Sequence, residues 1–422
     1  MTCCDSVFET SLHYTSPAHG GWGVLKTAQL IPESYHLFVS PAACGRHGAL
    51  AARFEGRNRK VSYYHLTEQS IVSGDYEEEI LSASDVLLSR LTKQGRRPRV
   101  FSIFVSCIDD LLGTDLDALT EQLSGQFPDI RFITCHMNPI TTDTAVPSAV
   151  NIQDKIYSVL EPCAERDSGV NLIGNLQAIR PESELFALLK QMGAQPIRHI
   201  SDFTRYDDYQ SMAKSRLNLV LAPPGKYASG NMEEKLGIPY LMALTAFRPE
   251  NITETYQRIA GALGAPCPAL EKMEQTARKA FCETAEALSG MPVIVDGEAV
   301  TRPFELARAL LENGISVHAV YEQKLKPSDR KDFEWLRDNR PEIPIRQTLH
   351  PKQTERDGAA ADCVAIGYSS GYLSGAKHVA DIGGQNGLYG YHGVYTLMDL
   401  IREAAETETD MRRLLEDAVL VI

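Results

Sequence analysis

The chain has no apolar run approaching the roughly 18 residues a membrane-spanning helix needs, which argues against a helical membrane protein. Its first residues, MTCCDSVFETSLHY, lack the basic and apolar regions of a secretory signal, so the expected location is the cytoplasm. Long blocks of one charge sign are also missing. With 43% hydrophobic and 23% charged residues, the composition is that of a folded protein and not of a disordered one. Basic residues are in the minority, 42 against 55 acidic, and the formal net charge is −13. Such a surface repels phosphate backbones and anionic lipid, so neither nucleic acid nor membrane is an expected partner. One local exception, RFEGRNRK at 53–60, offers positive charge to an acidic protein face or an anion.

Familiar catalytic signatures are missing as well. There is no Walker A sequence, so the chain is not expected to hydrolyse ATP itself. No Ser/His/Asp or H-E-x-x-H arrangement is visible, although a zinc site or a Cys–His nucleophile stays open. The nine cysteines show no C-x2-C zinc pattern. Their number is odd and a reducing cytoplasm disfavours disulfides. Cys163, Cys267, Cys282 and Cys363 are expected to be buried small hydrophobes.

What the chain does have is alternation. VFSIFVSC (100–107) reads as a buried strand, DLDALTEQLSGQF (115–127) as an amphipathic helix and IRFITC (130–135) as the next strand. A helix near 150–160 leads to the strand GVNLIGN (169–175). PESELFALLKQMG (181–193) then reads as a helix with proline at its start and glycine at its close. QPIRHI, SRLNLVLA, MPVIVDGE, ISVHAVY and ADCVAIGYSS continue as strands. ENITETYQRIAGAL opens a helical stretch to about 289, and a last helix runs through LMDLIREAAE. At 422 residues the chain is too long for one ordinary core. The predicted fold is α/β, with three doubly wound, Rossmann-like modules and mainly parallel sheets. Breaks near 160 and 290 divide it into an N-terminal cluster-loop domain (1–160), a second α/β domain (161–290) and a third with a C-terminal helix (291–422).

Ligands gather at the carboxyl ends of strands in such sheets. Cys107 and Cys135 close predicted strands, and Cys44 lies just past HLFVSP. The unusual chemistry is concentrated there. SPAHGGWG (16–23) offers His19, and SPAACGRHG (40–48) offers Cys44, Arg46 and His47 between Gly45 and Gly48. LTEQSIVSGDYEEEI (66–80) is rich in acids. In FVSCIDDLLGTDL (104–116), Cys107 is followed by Asp109, Asp110 and Asp115, and FITCHMNPI (132–140) carries Cys135 and His136. Iron–sulfur clusters need thiolates from loops whose glycines let backbone N–H groups approach sulfide. Cys44 and Cys107 fit that demand, and each also fits a satisfied core cysteine. His19 reads as a turn-capping residue or a ligand, and Asp109 and Asp110 as first-turn acids favoured by the helix macrodipole.

At these residues the chain resembles the nitrogenase component 1-type oxidoreductase superfamily. S-P-x-x-C-G and VSCIDDLLGTDL are similar to the family's two cluster-cysteine loops, separated by 63 residues. LTEQSIVSGDYEEEI is similar to its E-x-D-I-V-x-G-G segment. VNLIGNL, SRLNLVLAPPGKYASGNMEEKLGIPYL and NGLYGYHGVYTLMDLI follow its later blocks in order. The resemblance implies an iron–sulfur cluster, 4Fe–4S or larger, with Cys44 and Cys107 as ligands. For the third position, Cys4 lies 40 residues before Cys44, longer than the family interval, and His19 lies 25 before it, near the expected place. Cys3, Cys4, His19 and Cys135 are the alternatives. Arg46, His47 and Asp109 would tune the cluster or relay protons, and Gly45 and Gly48 would let the backbone approach it.

The dinitrogenase cofactor cysteine after L-N-L-V is replaced by Leu221-Ala222, and His378 and His392 stand out of register for its histidine. No molybdenum cofactor is expected. The implied function is the cluster-bearing catalytic subunit of a two-component reductase. It would accept low-potential electrons from an ATP-dependent iron protein and pair with an identical or paralogous subunit as a dimer or heterotetramer. The alternatives are a cofactor-assembly scaffold carrying a cluster or tetrapyrrole precursor, and a non-catalytic α/β binding protein.

Overall fold

The structure, a computed structural model, describes residues 7–8, 23–42, 44–45, 58–137, 146–351, 358–383 and 387–417. It contains three parallel sheets. The first comprises β1 (Ser34–Ser40), β2 (Val61–His65), β3 (Val100–Val105) and β4 (Arg131–His136), in the order β2-β1-β3-β4. The second comprises β5 (Val170–Ile173), β6 (Ile197–Arg198), β7 (Leu217–Val220) and β8 (Tyr240–Met242), in the order β6-β5-β7-β8. The third comprises β9 (Val293–Asp296), β10 (Val317–Tyr321), β11 (Ile345–Arg346), β12 (Val364–Ile366) and β13 (His378–Ala380), in the order β11-β10-β9-β12-β13. Every pairing is parallel, and in each sheet the order reverses beside the first strand. That is the doubly wound α/β class the alternation predicts.

Helices cover both faces, so β1 and β3 are buried along their whole length and read as near-continuous apolar runs. Register sets the faces of the first sheet. Phe38, Phe104 and Cys135 align across β1, β3 and β4 and pack with Ile152 and Ile156 of the helix Ser148–Ser158. The Phe38 and Phe104 rings stack at 4.5 Å. Leu37, Val39, Ile103 and Val105 point the other way, toward Leu88, Leu91, Leu119 and Leu123 of the helices Tyr76–Lys93 and Leu116–Gln126. The cores are shared between sheets. The first sheet's core continues into Met232 and Leu236 of the helix Gly225–Leu236, and a larger core joins the second and third sheets.

Local sequence explains most boundaries, with some corrections. The helix expected over 181–193 is Glu184–Gln191, because Ser183 caps it by accepting from Leu185 N at 3.3 Å. Pro181 therefore lies outside it. The stretch beginning at Pro249 is two helices, Pro249–Leu263 and Glu271–Leu288. A further helix, Met411–Asp417, follows the one that runs through LMDLIREAAE, which spans Gly390–Glu406. Gly174 leaves β5 at φ +103°, where a Cβ would meet the Ala222 carbonyl oxygen at 2.6 Å, so only glycine fits. Among the described residues, no helix is long and apolar enough to cross a membrane.

Of the four cysteines expected in the core, Cys363 alone is buried. Cys163 is half-buried, and Cys267 and Cys282 are exposed. The buried stripe of the helix Glu271–Leu288 is Ala277, Ala280, Phe281, Thr284 and Leu288, and Cys282 lies one step around from it. Cys267 sits in the connection between two helices.

Candidate functional site

The carboxyl ends of β1, β3 and β4 form one edge of the first sheet, and several sequence-predicted residues lie there. After β1, Pro41 starts a tight turn: its carbonyl accepts from Cys44 N at 3.0 Å and Gly45 N at 3.2 Å. The Cys44 side is exposed and Gly45 is buried. A Cβ on Gly45 would lie 3.1 Å from Ser40 Oγ and 3.2 Å from the Tyr63 ring, so this turn sits close against the sheet.

After β3, Ser106 adopts an extended conformation and caps the helix Cys107–Leu112. Gly113 ends that helix at φ 66°. Cys107 is thus its first residue, half-buried, just beyond β3, the strand next to the one that leads to Cys44. The parallel pairing of β1 and β3 brings both thiols to the same edge.

Cys135 behaves differently. It lies inside β4 opposite Phe104, packed in the core, where burial pushes its thiol up to about 12. It is a core cysteine, unsuited to ligation because a thiolate is the metal-binding form.

Alternation along β4 turns the next residue, His136, the opposite way. His136 Nδ1 stands 3.6 Å from Asp110 Oδ1 and 3.9 Å from Asp109 Oδ2. Both acids occupy the first turn of the helix Cys107–Leu112, as expected, yet Asp109 is also buried. Burial raises its carboxyl above the usual range, against a smaller lowering from Thr114 and His136. Tyr76, from the first turn of the helix Tyr76–Lys93, is buried beside Asp109, and burial together with that carboxylate raises its phenol. Sequence reading named Asp109 but gave no role to Tyr76 or His136. The usable signal for His136 was strand period: if Cys135 faces the core, its neighbour cannot.

Cys3, Cys4, His19, Arg46, His47 and Gly48 lie outside the described residues. So does most of the basic stretch at 53–60. At the second sheet, Leu221 and Ala222 are buried apolar side chains without donor atoms. In the third, His378 Nδ1 is engaged by the Ala404 and Thr407 carbonyls at 3.0 and 2.9 Å, and His392 packs edge-on against Tyr395.

Three doubly wound parallel sheets with a thiol-bearing edge on the first define the class. The family described as "Nitrogenase component 1 type Oxidoreductase" matches residues 21–406, and the chain belongs to it. The "Nitrogenase iron-molybdenum cofactor biosynthesis protein NifE" of Clostridium pasteurianum is 24% identical over 242 residues, 56% of this chain and 51% of that protein. The protein of that name from Rippkaea orientalis (strain PCC 8801 / RF-1) is 22% identical over 180 residues, 42% of this chain and 37% of its own. The chain thus spans about half or less of these two relatives. The Rhizobium meliloti (strain 1021) protein of the same name is 20% identical over 404 residues, 89% of this chain and 82% of its own. Among solved structures, "Nitrogenase Cp1 at pH 6.5" superposes with a TM-score of 0.72 at 16% identity, covering 94% of both chains. "Nitrogenase Cp1 at pH 5" gives 0.60 at 14% identity, covering 94% of this chain and 89% of that one. These structures share the fold.

Proposed function

We propose that the chain is the iron–sulfur-bearing subunit of a nitrogenase-like two-component reductase. The observation that carries this reading is the placement of two solvent-reaching thiols, Cys44 and Cys107, beyond the ends of adjacent parallel strands. Their donor chemistry fits an iron–sulfur group, which when bound would store and pass low-potential electrons. Family membership supports the same assignment. Gly45 and Gly48 would keep the first loop close to the cluster, and Arg46 and His47 would stand beside it. Asp109, buried two residues after Cys107, is suited to holding a proton near that edge. The remaining ligands would come from Cys3, Cys4 or His19, or from a second subunit, identical or paralogous, in a dimer or heterotetramer. The electron donor would be a separate ATP-dependent iron protein in the cytoplasm. The chain would act on an organic substrate and would hold no molybdenum cofactor, because Leu221 and Ala222 cannot ligate metal.

A second reading, a scaffold on which a cofactor or tetrapyrrole precursor is assembled, is favoured by one observation. The relatives matched are named as cofactor biosynthesis proteins. Anaerobic purification tests the cluster common to both. Brown protein with stoichiometric iron is expected, bleached by Cys107→Ser and unaffected by Cys282→Ser. Colourless, iron-free protein would overturn both readings in favour of a non-catalytic binding protein. Adding the iron protein and ATP separates them: electron and proton consumption marks the reductase, transfer of a bound precursor the scaffold.

A further inference from the structure

Asp109, Asp110 and His136 bring two carboxylates and an imidazole together at the carboxyl edge of the first sheet. Their ligand-type atoms all lie within 4.8 Å of one another, and they come from two elements, a helix first turn and the end of β4. His136 Nδ1 stands 3.6 and 3.9 Å from the two carboxylates, too far for hydrogen bonds. Donor atoms that share one ion through bonds of about 2.1 Å stand about 3.4 Å apart when tetrahedral and about 3.0 Å apart when octahedral. The His136–carboxylate separations of 3.6 and 3.9 Å are looser than that.

A second observation comes from a third element. Tyr76 is only 3% exposed, and its hydroxyl faces the Asp109 carboxylate. Asp109 Oδ1 and His136 Nδ1 are buried atoms without a hydrogen-bond partner among the described residues. Native proteins keep few such atoms unsatisfied. Two of them belong to this one group of side chains. Others, such as those of Ser84 and Ser229, stand in helix interiors.

We propose that Asp109, Asp110 and His136 bind one first-row divalent cation, with Tyr76 as a fourth donor or as the partner of a water on the ion. A cation would screen two adjacent carboxylates and take the imidazole lone pair. Two carboxylates and one imidazole are oxygen-rich and without sulfur, which suits manganese or ferrous iron better than copper(I) or an iron–sulfur cluster. His136 is 30% exposed at its side chain, so the ion has a route from solvent. The site would pin the helix Cys107–Leu112 to β4 and put fixed positive charge close to Cys107. It does not depend on the cluster assignment.

Manganese(II) is the probe, because it prefers oxygen and imidazole over thiols. The full chain is stripped with chelator under anaerobic conditions and titrated with Mn²⁺, the free ion being counted by electron paramagnetic resonance. One equivalent is expected to bind in the native sequence and in the Cys44→Ser, Cys107→Ser double variant. His136→Ala and Asp110→Asn are each expected to weaken binding at least tenfold while circular dichroism stays native. Should one of these two misfold, the other decides. Absence of stoichiometric binding, or equal binding in a folded His136→Ala or Asp110→Asn protein, would overturn the site. Loss of binding in the thiol variant alone would do the same, by assigning the ion to the cysteines.

Discussion

Glu184 holds the amino end of the closing helix: Oε1 accepts from Tyr391 N at 2.6 Å and Oε2 from His392 N at 3.0 Å. Tyr256 Oη donates to the same Oε1 at 2.7 Å. Glu184 opens the helix after β5, more than 200 residues before Tyr391 and His392, so one carboxylate ties the second sheet to the helix that covers the third. It also supplies negative charge where the helix Gly390–Glu406 has unsatisfied N–H groups. Glu184→Ala strands those N–H groups and the Tyr256 hydroxyl, and should cost about 2–4 kcal/mol. Glu184→Gln keeps one acceptor oxygen and should cost less. Thermal and urea denaturation check the order; equal stability of Glu184→Ala and the native chain would contradict it.

Gly390 should tolerate no side chain. It sits at φ +65°, and a Cβ there would drive into Glu184 and the Tyr256 hydroxyl. Gly230, inside the helix Gly225–Leu236, has nothing within 4 Å of its Cβ position. Gly390→Ala should therefore lower the melting temperature, whereas Gly230→Ala should raise stability by about 0.5–1 kcal/mol. Both are read by the same melting experiment.

Cys135 and Cys107 should fail in opposite ways when changed to serine. Cys135→Ser puts a hydroxyl into an apolar core beside Phe104 and should destabilise the chain by about 1–3 kcal/mol. Iron per folded chain should not change. Cys107→Ser, at a half-buried position, should leave the melting temperature nearly unchanged and lose the iron. Iron analysis together with denaturation curves measures both.

His36 makes the first sheet sensitive to acid. It is fully buried in β1, and burial, helped by Lys60, lowers its pKa to about 3. Unfolded, it titrates near 6.5. Above that value both states are neutral and its contribution to stability is complete. As the pH falls from about 6.5 toward 3, the unfolded chain takes up the proton first and stability declines, by at most about 1.4 kcal/mol per unit. His36→Gln should reduce that slope. Urea midpoints of the two proteins from pH 4 to 8 give the difference directly, and parallel curves would refute the assignment.

Much of the fold is legible because strands buried on both faces leave continuous β-branched runs. VFSIFV and VNLI are such runs, and each became a central strand. The errors fall where short-range pattern is silent. Pro181 suggests a helix start, but Ser183 offers a side-chain acceptor two residues later and takes the cap. Cys267 and Cys282 are core candidates by type alone, but Cys267 falls in a connection and Cys282 on the outer face of its helix, and both are exposed. At the site, Cys107 and Asp109 are legible from the sequence, since a strand running into S-C-x-D marks both the edge and the helix start. Tyr76 and His136 are not, because their meeting with Asp109 depends on a helix 31 residues upstream of Cys107 and a strand 29 residues downstream.

The sequence by itself determines the local elements of this protein and the order in which they come. Period-2 and period-3.6 patterns, caps and glycines act over a few residues, and their energetics are the same wherever the segment lies. It also carries the chemistry available to the first sheet: thiols, carboxylates and imidazoles close to predicted strand ends. Tertiary structure alone decided which of those groups meet. Register across β1, β3 and β4 turned Cys135 inward and His136 outward, and crossover connections carried Tyr76 to Asp109 and Glu184 to Tyr391. Such contacts are set by strand order and by the packing of whole faces, which no short stretch of sequence specifies.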